Sequence, residues 1–289
     1  MLPTEQIPGV YHRKVGDILV TALTDGYLDA GYGIFHSVSA DEAASILDEG
    51  REPSPPRISV NMFLVRGNGR TALVDTGSSD CMGDTLGLLP QSLAAAGVTP
   101  EEIDTILLTH MHPDHSAGLL TPEGKVQFPN AEVVVGEADY ALWHDDAAMA
   151  STDERRRMRY FEWSRKQIAP YRDRLVWAEG DVMPGVTTVP LPGHTPGHCG
   201  YLIHSGNDSM LVWGDTVHVP GVQVPRPEAS MVFDWEPDRA VESRRRVFDM
   251  VASENTLVAG MHIHFPGFGR MIRTGDGYRL VPEAWTFTL

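Results

Sequence analysis

The chain is poor in cysteine and in positive charge, and it lacks any apolar run long enough to cross a bilayer. Its two cysteines, Cys81 and Cys199, are far apart and outside any C-x-x-C spacing. They exclude a disulfide framework and agree with a reducing compartment. Lys and Arg number 23 against 39 Asp and Glu, a formal net charge of −16. That balance argues against phosphate backbones as partners, which call for cationic groups to displace counterions, and no RNA-binding module is visible. The apolar run Ile18–Leu23 is far shorter than the roughly 20 residues of a spanning helix. Met1–Pro8 shows no basic start followed by a long apolar stretch. We expect a cytoplasmic protein with neither nucleic acid nor membrane as partner, a trimmed periplasmic form being the alternative.

The chain does hold twelve histidines, and their placing is uneven. Thr109-His110-Met111-His112-Pro113-Asp114-His115 packs three imidazoles and a carboxylate into six positions, directly after the strand-like run Ile106–Leu108. So many ionisable groups cannot serve an apolar core, because each needs a polar partner when buried. Neutral imidazoles and carboxylates suit zinc, with manganese, cobalt or iron as substitutes. The same design, an apolar strand and then a polar ligand, recurs elsewhere. Ala72–Val74 runs into Asp75-Thr76-Gly77, Met210–Trp213 into Gly214-Asp215-Thr216, and Thr256–Ala259 into Gly260-Met261-His262. A turn-rich loop, Pro192–His198, displays His194.

The order Asp75, His-x-His-x-Asp-His, His194, Asp215 and His262 resembles the metallo-β-lactamase superfamily, and within it the methyl parathion hydrolase and lactonase branch. Thr109–Gly118, Pro192–His198, Trp213–Val224, Glu242–Arg246 and His262–Gly269 carry that likeness, which covers essentially the whole chain. It implies an α/β protein, a four-layer αβ/βα sandwich, built as one domain over 1–289 from two similar halves of roughly 1–180 and 181–289. It further implies two divalent ions, zinc first. His110, His112 and His194 would hold one and Asp114, His115 and His262 the other, with Asp215 bridging. That set leaves room for a shared hydroxide and a substrate atom, as a catalytic site requires. Asp75 and His198 would orient the ligands by hydrogen bonds, and Asp114 would shuttle a proton to the leaving group. A homodimer is also implied.

Rival readings exist for several residues. Asp215 also suits a helix cap or a turn, and Asp75-Thr76-Gly77 is an ordinary turn sequence. His264 competes with His262, though His262 holds the family position. His218 is a pocket-lining candidate, and the Pro-rich loop Pro220–Pro227 is expected to shape an apolar substrate pocket with Phe265 and Phe268. The expected reaction is hydrolysis of a small neutral ester: a lactone of acyl homoserine lactone type, an aryl ester, or a phosphotriester such as methyl parathion. A β-lactam or glutathione thioester could be cleaved by the same centre. A diiron redox enzyme is a further alternative, although such relatives commonly carry Glu at the His112 position and an added flavin domain.

Elsewhere, short apolar runs alternate with helical stretches. Ile18–Leu23 is expected to be the first strand. Val60–Val65 and Thr71–Val74 flank a hairpin turn at Arg66–Arg70, and Leu86–Ala96 is a helix ended by Gly97. Val133–Val135 and Val186–Leu191 are further strands. Asp145–Tyr171 is charged and largely helical. Its arginines, Arg155, Arg156, Arg157 and Arg159, suit a solvated face or, with Tyr160, Phe161 and Trp163, a cap or dimer contact. The Glu242–Arg246 helix needs no functional role for its arginines. Arg51–Arg57 could close over the site.

Overall fold

Alternation along the strands sorts the side chains into layers. On the third strand, Leu64 joins one apolar cluster while its neighbours Phe63 and Val65 join another, as a period of two demands. Likewise Leu211 faces one way and Met210 and Val212 the other. Strands buried on both faces in this manner belong between layers. The computed structural model describes residues 2–275 and 277–289, and it shows two stacked sheets with helices on their outer faces.

The first sheet is formed in chain order by β1 (Val10–Val15), β2 (Ile18–Asp29), β3 (Arg57–Gly67), β4 (Arg70–Val74), β5 (Thr105–Leu107), β6 (Glu132–Val135) and β7 (Leu175–Trp177). The second runs in reverse order from β14 (Gly277–Pro282), β13 (Phe268–Thr274), β12 (Leu257–Ala259), β11 (Asp208–Val212) and β10 (Cys199–Ser205) to β9 (Val186–Pro190) and β8 (Asp181–Met183). Helices in chain order are α1 (Ala40–Gly50), α2 (Leu89–Ala95), α3 (Pro113–Ser116), α4 (Glu137–Trp143), α5 (Asp146–Ala150), α6 (Glu154–Arg156), α7 (Trp163–Ile168), α8 (Pro220–Gln223) and α9 (Pro237–Glu254). Leu89, Leu93, Phe161 and Ile168 cover the outer face of the first sheet. Val247, Phe248 and Val251 of α9 cover that of the second. Between the sheets lie Val20, Phe63, Val74, Tyr201, Met210, Val212 and Phe268. This is the αβ/βα sandwich the sequence led us to expect.

Three details differ from that expectation, one being that the helix expected over Leu86–Ala96 starts only at Leu89, after Gly87 at φ +80°. Ile18–Leu23 opens the second strand, not the first, because His12, Arg13 and Lys14 make β1 a half-exposed edge that hydropathy alone does not flag. The Pro220–Pro227 stretch begins as the helical turn α8, with Pro220 in the first turn where its missing N–H costs nothing. The hairpin between β3 and β4 turns on Asn68 and Gly69, with φ of 53° and 76°, the pair of positive angles a two-residue turn needs.

The pairing pattern places the polar loops. β4, β5 and β6 are parallel, as are β11 and β12. Their carboxyl ends open on one edge of the sandwich. Asp75, the Thr109–His115 segment, Asp215 and His262 each follow one of those ends directly. No helix among the described residues is long and apolar enough to cross a membrane.

Candidate metal centre

His110 and His112 leave β5 in an extended segment, so alternate residues face the same side. Met111 points the other way, into the core with Leu108 and Trp143. Pro113 then starts α3, which carries Asp114 and His115 in a single turn. The turn lies hard against the end of β4: a Cβ on Gly118 would meet the Thr76 carbonyl oxygen at 1.9 Å, and Thr76 N–H donates to the His115 carbonyl at 2.7 Å. Asp139 of α4 ties two ligand loops together, accepting from Met111 N–H and Gly197 N–H, each at 2.9 Å. Gly214, at φ +54°, lets the chain bend into Asp215 while its missing Cβ makes room for His198.

Three groups of side chains converge. His110, His112 and His194 have one ring nitrogen each within 4.8 Å of one another, as do His110, His115 and Asp215, and Asp114, His115 and His262 with a carboxylate oxygen. Asp215, only 3% exposed, lies at the middle. Its carboxylate is 3.2 Å from His115 Nε2, 3.2 Å from His262 Nε2, 3.3 Å from His194 Nε2 and 3.7 Å from His110 Nε2. Asp114 Oδ2 is 3.5 Å from His115 Nε2 and 3.8 Å from His262 Nε2. A fourth group adds His218, whose Nε2 is 2.9 Å from Asp215 Oδ2.

Four outward nitrogens are engaged, while His112 is turned the other way, its Nδ1 meeting His194 Nε2 at 2.9 Å. His115 Nδ1 meets Asp75 Oδ2 at 2.7 Å, His194 Nδ1 meets Asp234 Oδ1 at 2.8 Å, and His262 Nδ1 meets the Ser59 carbonyl at 2.8 Å. His110 Nδ1 meets Thr109 Oγ1 at 3.0 Å, and Thr109 is itself held by Asp75. Carboxylate and carbonyl acceptors put the proton on Nδ1, which turns the Nε2 lone pair inward. Yet inside, His110 Nε2, His115 Nε2 and Asp215 Oδ1 are buried with no hydrogen-bond partner among the described residues. Lone pairs aimed at a common point and left unsatisfied there fit divalent cations, and the imidazole and carboxylate donors suit zinc, manganese, cobalt or iron.

Electrostatics divides the cluster. Burial first, and then the neighbouring His115, push the His110 imidazole well below its ordinary range; burial and His194 do the same to His112. His115 and His262 go the other way. Burial opposes their charge, but Asp215 and Asp114 hold both imidazoles above the ordinary value. Asp215, which burial would push up, is held well below the carboxylate range by His115, His262 and His218, and Asp114 by His115 and His262.

The seven candidate ligands thus come together, and Asp75 is bonded to His115. His198 accepts from Asp215 N–H at 2.9 Å and its Nδ1 meets the Leu191 carbonyl. Burial pushes its imidazole down to about 3, so it stays a neutral brace. His264 is exposed and lies beside Ser59, outside the cluster. Phe265 and Phe268 are elsewhere too. They line a cavity of about 590 Å³ with Pro220, Val224 and Tyr278 that touches none of the seven residues, and Phe268 also packs on Phe63 and Tyr11 in the intersheet core. The groove that does reach the cluster opens at His112 and is walled by Trp143, Tyr160, Val232, Phe233 and Trp235. These residues, and Asp234, carry no spacing that sequence reading can use. Arg244 also has a part: it is buried and donates to the carbonyls of Thr216, Pro227 and Ala229, bracing the turn after Asp215.

Two measurements test this arrangement. Asp234→Ala removes the acceptor behind His194, and we expect roughly a 10–100-fold loss of zinc affinity in chelator competition; unchanged affinity would mean that Asp234 does not orient His194. Because Asp215 and Asp114 raise the proton affinity of His115 and His262, an ion competes with a proton there more than at His110 and His112, where burial favours the neutral ring. Affinity at the Asp114/His115/His262 group should therefore rise with pH, by about tenfold per unit for each proton displaced. Titration between pH 6 and 8 should show one ion lost before the other as pH falls. Simultaneous, pH-independent release would contradict the division.

Comparison with known proteins agrees with the geometry. The family profile described as Metallo-beta-lactamase superfamily matches residues 55–262. A crystal structure titled hydrolase AbOPH in beta lactamase superfamily is 33% identical, covers 98% of this chain and 100% of its own, and superposes with a TM-score of 0.91. AidC, titled a dizinc quorum-quenching lactonase in complex with a product, has the same coverage and TM-score at 24% identity. An N-acyl homoserine lactonase of Bacillus sp is 24% identical over 192 residues, 66% of this chain and 65% of that protein, so the chain spans just under two thirds of its length. The profile match takes in every cluster residue from Asp75 to His262, and the chain belongs to the metallo-beta-lactamase superfamily.

Proposed function

We propose that the protein is a two-metal hydrolase of a neutral, apolar ester, with a lactone or aryl ester as its substrate. His110, His112 and His194 would hold one ion, Asp114, His115 and His262 the other, and Asp215 would serve both. When bound, such ions supply a water that ionises near neutral pH and a Lewis acid for the attacked carbonyl.

The observation that carries the substrate class is the groove. His112 has the Tyr160 and Trp143 rings at centroid distances of 4.7 and 5.7 Å, and Phe233 lies 5.9 Å from His194 and 4.9 Å from His218. Aromatic walls laid against the ligands exclude water and favour an apolar tail beside the reacting bond. The groove shares Arg156, Tyr160, Val232 and Phe233 with a larger cavity of about 700 Å³, onto which Leu28, Ile34, Ile58 and Met82 also face. A medium-length acyl chain suits that extension. The likeness to the two lactonases, one of them titled as a complex with an N-acyl homoserine product, supports the same class.

Asp114 is the cluster carboxylate with an open edge, 15% exposed. Its carboxylate, kept ionised by His115 and His262, would take up a proton and return it to the leaving group. His218, with burial pushing its imidazole down to about 4, is a neutral donor or acceptor held on Asp215.

Zinc-loaded protein should open N-hexanoyl homoserine lactone and cleave 4-nitrophenyl esters. Methyl parathion should react more slowly and nitrocefin hardly at all, with Asp114→Ala lowering kcat by roughly 10²–10⁴-fold. No turnover of lactone or ester above the metal-free background would rule out this substrate class.

A further inference from the structure

We propose that the outer groove selects esters or lactones whose far end carries an anionic group, held by Arg155 and Arg159. This rests on the hydrolytic reading of the same groove and amends it in one respect: the reacting bond and the chain beside it stay neutral and apolar, and the far end is charged.

The large cavity is lined by three guanidinium groups, Arg155, Arg156 and Arg159, and two carboxylates, Asp29 and Asp153. Both carboxylates are engaged. Asp29 makes a two-pronged pair with Arg57, at 2.6 and 2.8 Å. Asp153 accepts from Arg156 N–H at 2.9 Å and has that residue's Nε at 3.8 Å, while Arg156 Nη2 donates to the Val232 carbonyl. Arg157, the remaining basic residue of the run, pairs with Glu162 and does not line the cavity. Arg155 and Arg159 form no ion pair or side-chain hydrogen bond among the described residues.

Two unpaired guanidiniums beside one groove run against the rest of the molecule, whose formal charge is −16. They stand four positions apart, where like charges repel across a helix face. A bound anion relieves that repulsion. Guanidinium also offers the planar fork of N–H donors that grips a carboxylate, sulfate or phosphate at two oxygens. The inner groove has one guanidinium, Arg156, already engaged by Asp153 and the Val232 carbonyl, and one carboxylate, Asp234, bonded to His194; its other walls are Trp143, Tyr160, Val232, Phe233 and Trp235. Neutral bond at the cluster, apolar middle and anionic end is therefore the sequence of surfaces a substrate would meet.

Mono-4-nitrophenyl suberate and 4-nitrophenyl octanoate test this, being of equal chain length and differing at the far end only. At fixed ionic strength, zinc-loaded wild type should favour the suberate by about tenfold in kcat/KM. In Arg155→Gln/Arg159→Gln that ratio should fall roughly five- to tenfold, while Arg155→Lys/Arg159→Lys should keep most of it. A wild-type ratio near one, or the same ratio in the glutamine variant, overturns the proposal. Should neither ester be cleaved, the hydrolytic reading fails, and binding alone then decides. Tryptophan fluorescence should show monomethyl suberate binding more tightly than methyl octanoate in wild type but not in the glutamine variant. Equal binding in wild type would sink the idea.

Discussion

Asp215 is buried, with five imidazole nitrogens at 2.9–3.7 Å from its carboxylate. A carboxylate stripped of water is costly unless positive charge or donors surround it. Its own backbone N–H is already used on His198, and its Oδ1 has no hydrogen bond among the described residues. The surrounding scaffold serves this one arrangement. Parallel strands in both sheets end at the same edge, so loops far apart in sequence deliver their ligands to one point. The intersheet core of Phe63, Val74, Tyr201, Val212 and Phe268 fixes how the two edges face one another.

Orientation is set from behind the ligands. Asp75, Asp234, the Ser59 carbonyl and Thr109 each fasten an outward nitrogen, which turns the Nε2 atoms of His115, His194, His262 and His110 inward. Arg244 and Asp139 hold the loops that carry those groups. The apolar walls come from a different part of the chain, the π-helical turn Arg157–Glu162 and the segment Val232–Trp235. The two parts share a residue, since Asp234 sits between Phe233 and Trp235 in the groove wall and holds His194 from behind.

How much of this could be read from sequence differs by residue. His110–His115 was legible because six adjacent positions held more imidazole and carboxylate than any core tolerates. Asp215 and His262 were legible as polar residues placed directly after apolar strands. Asp234 was not, since its neighbours Phe233 and Trp235 look like ordinary apolar residues and its target, His194, is forty positions away. Phe265 and Phe268 were expected near the substrate, with the Pro220–Pro227 loop, because the family likeness brings that loop to the metal site. The chain after His262 turns them to the other side, where Phe268 enters the intersheet core. Arg244 resembled its exposed neighbours on α9, but only its burial reveals that it braces the Asp215 turn. Short-range density of chemistry is legible by itself, whereas the convergence of His194, Asp215 and His262 on the Thr109 loop came from the family likeness.

Diffraction at the zinc absorption edge from crystals grown with zinc bears most directly on the paired-ion account. Two anomalous peaks are predicted, one among His110, His112 and His194 and the other among Asp114, His115 and His262, with Asp215 touching both. A single peak, peaks remote from these residues, or none at all would contradict it.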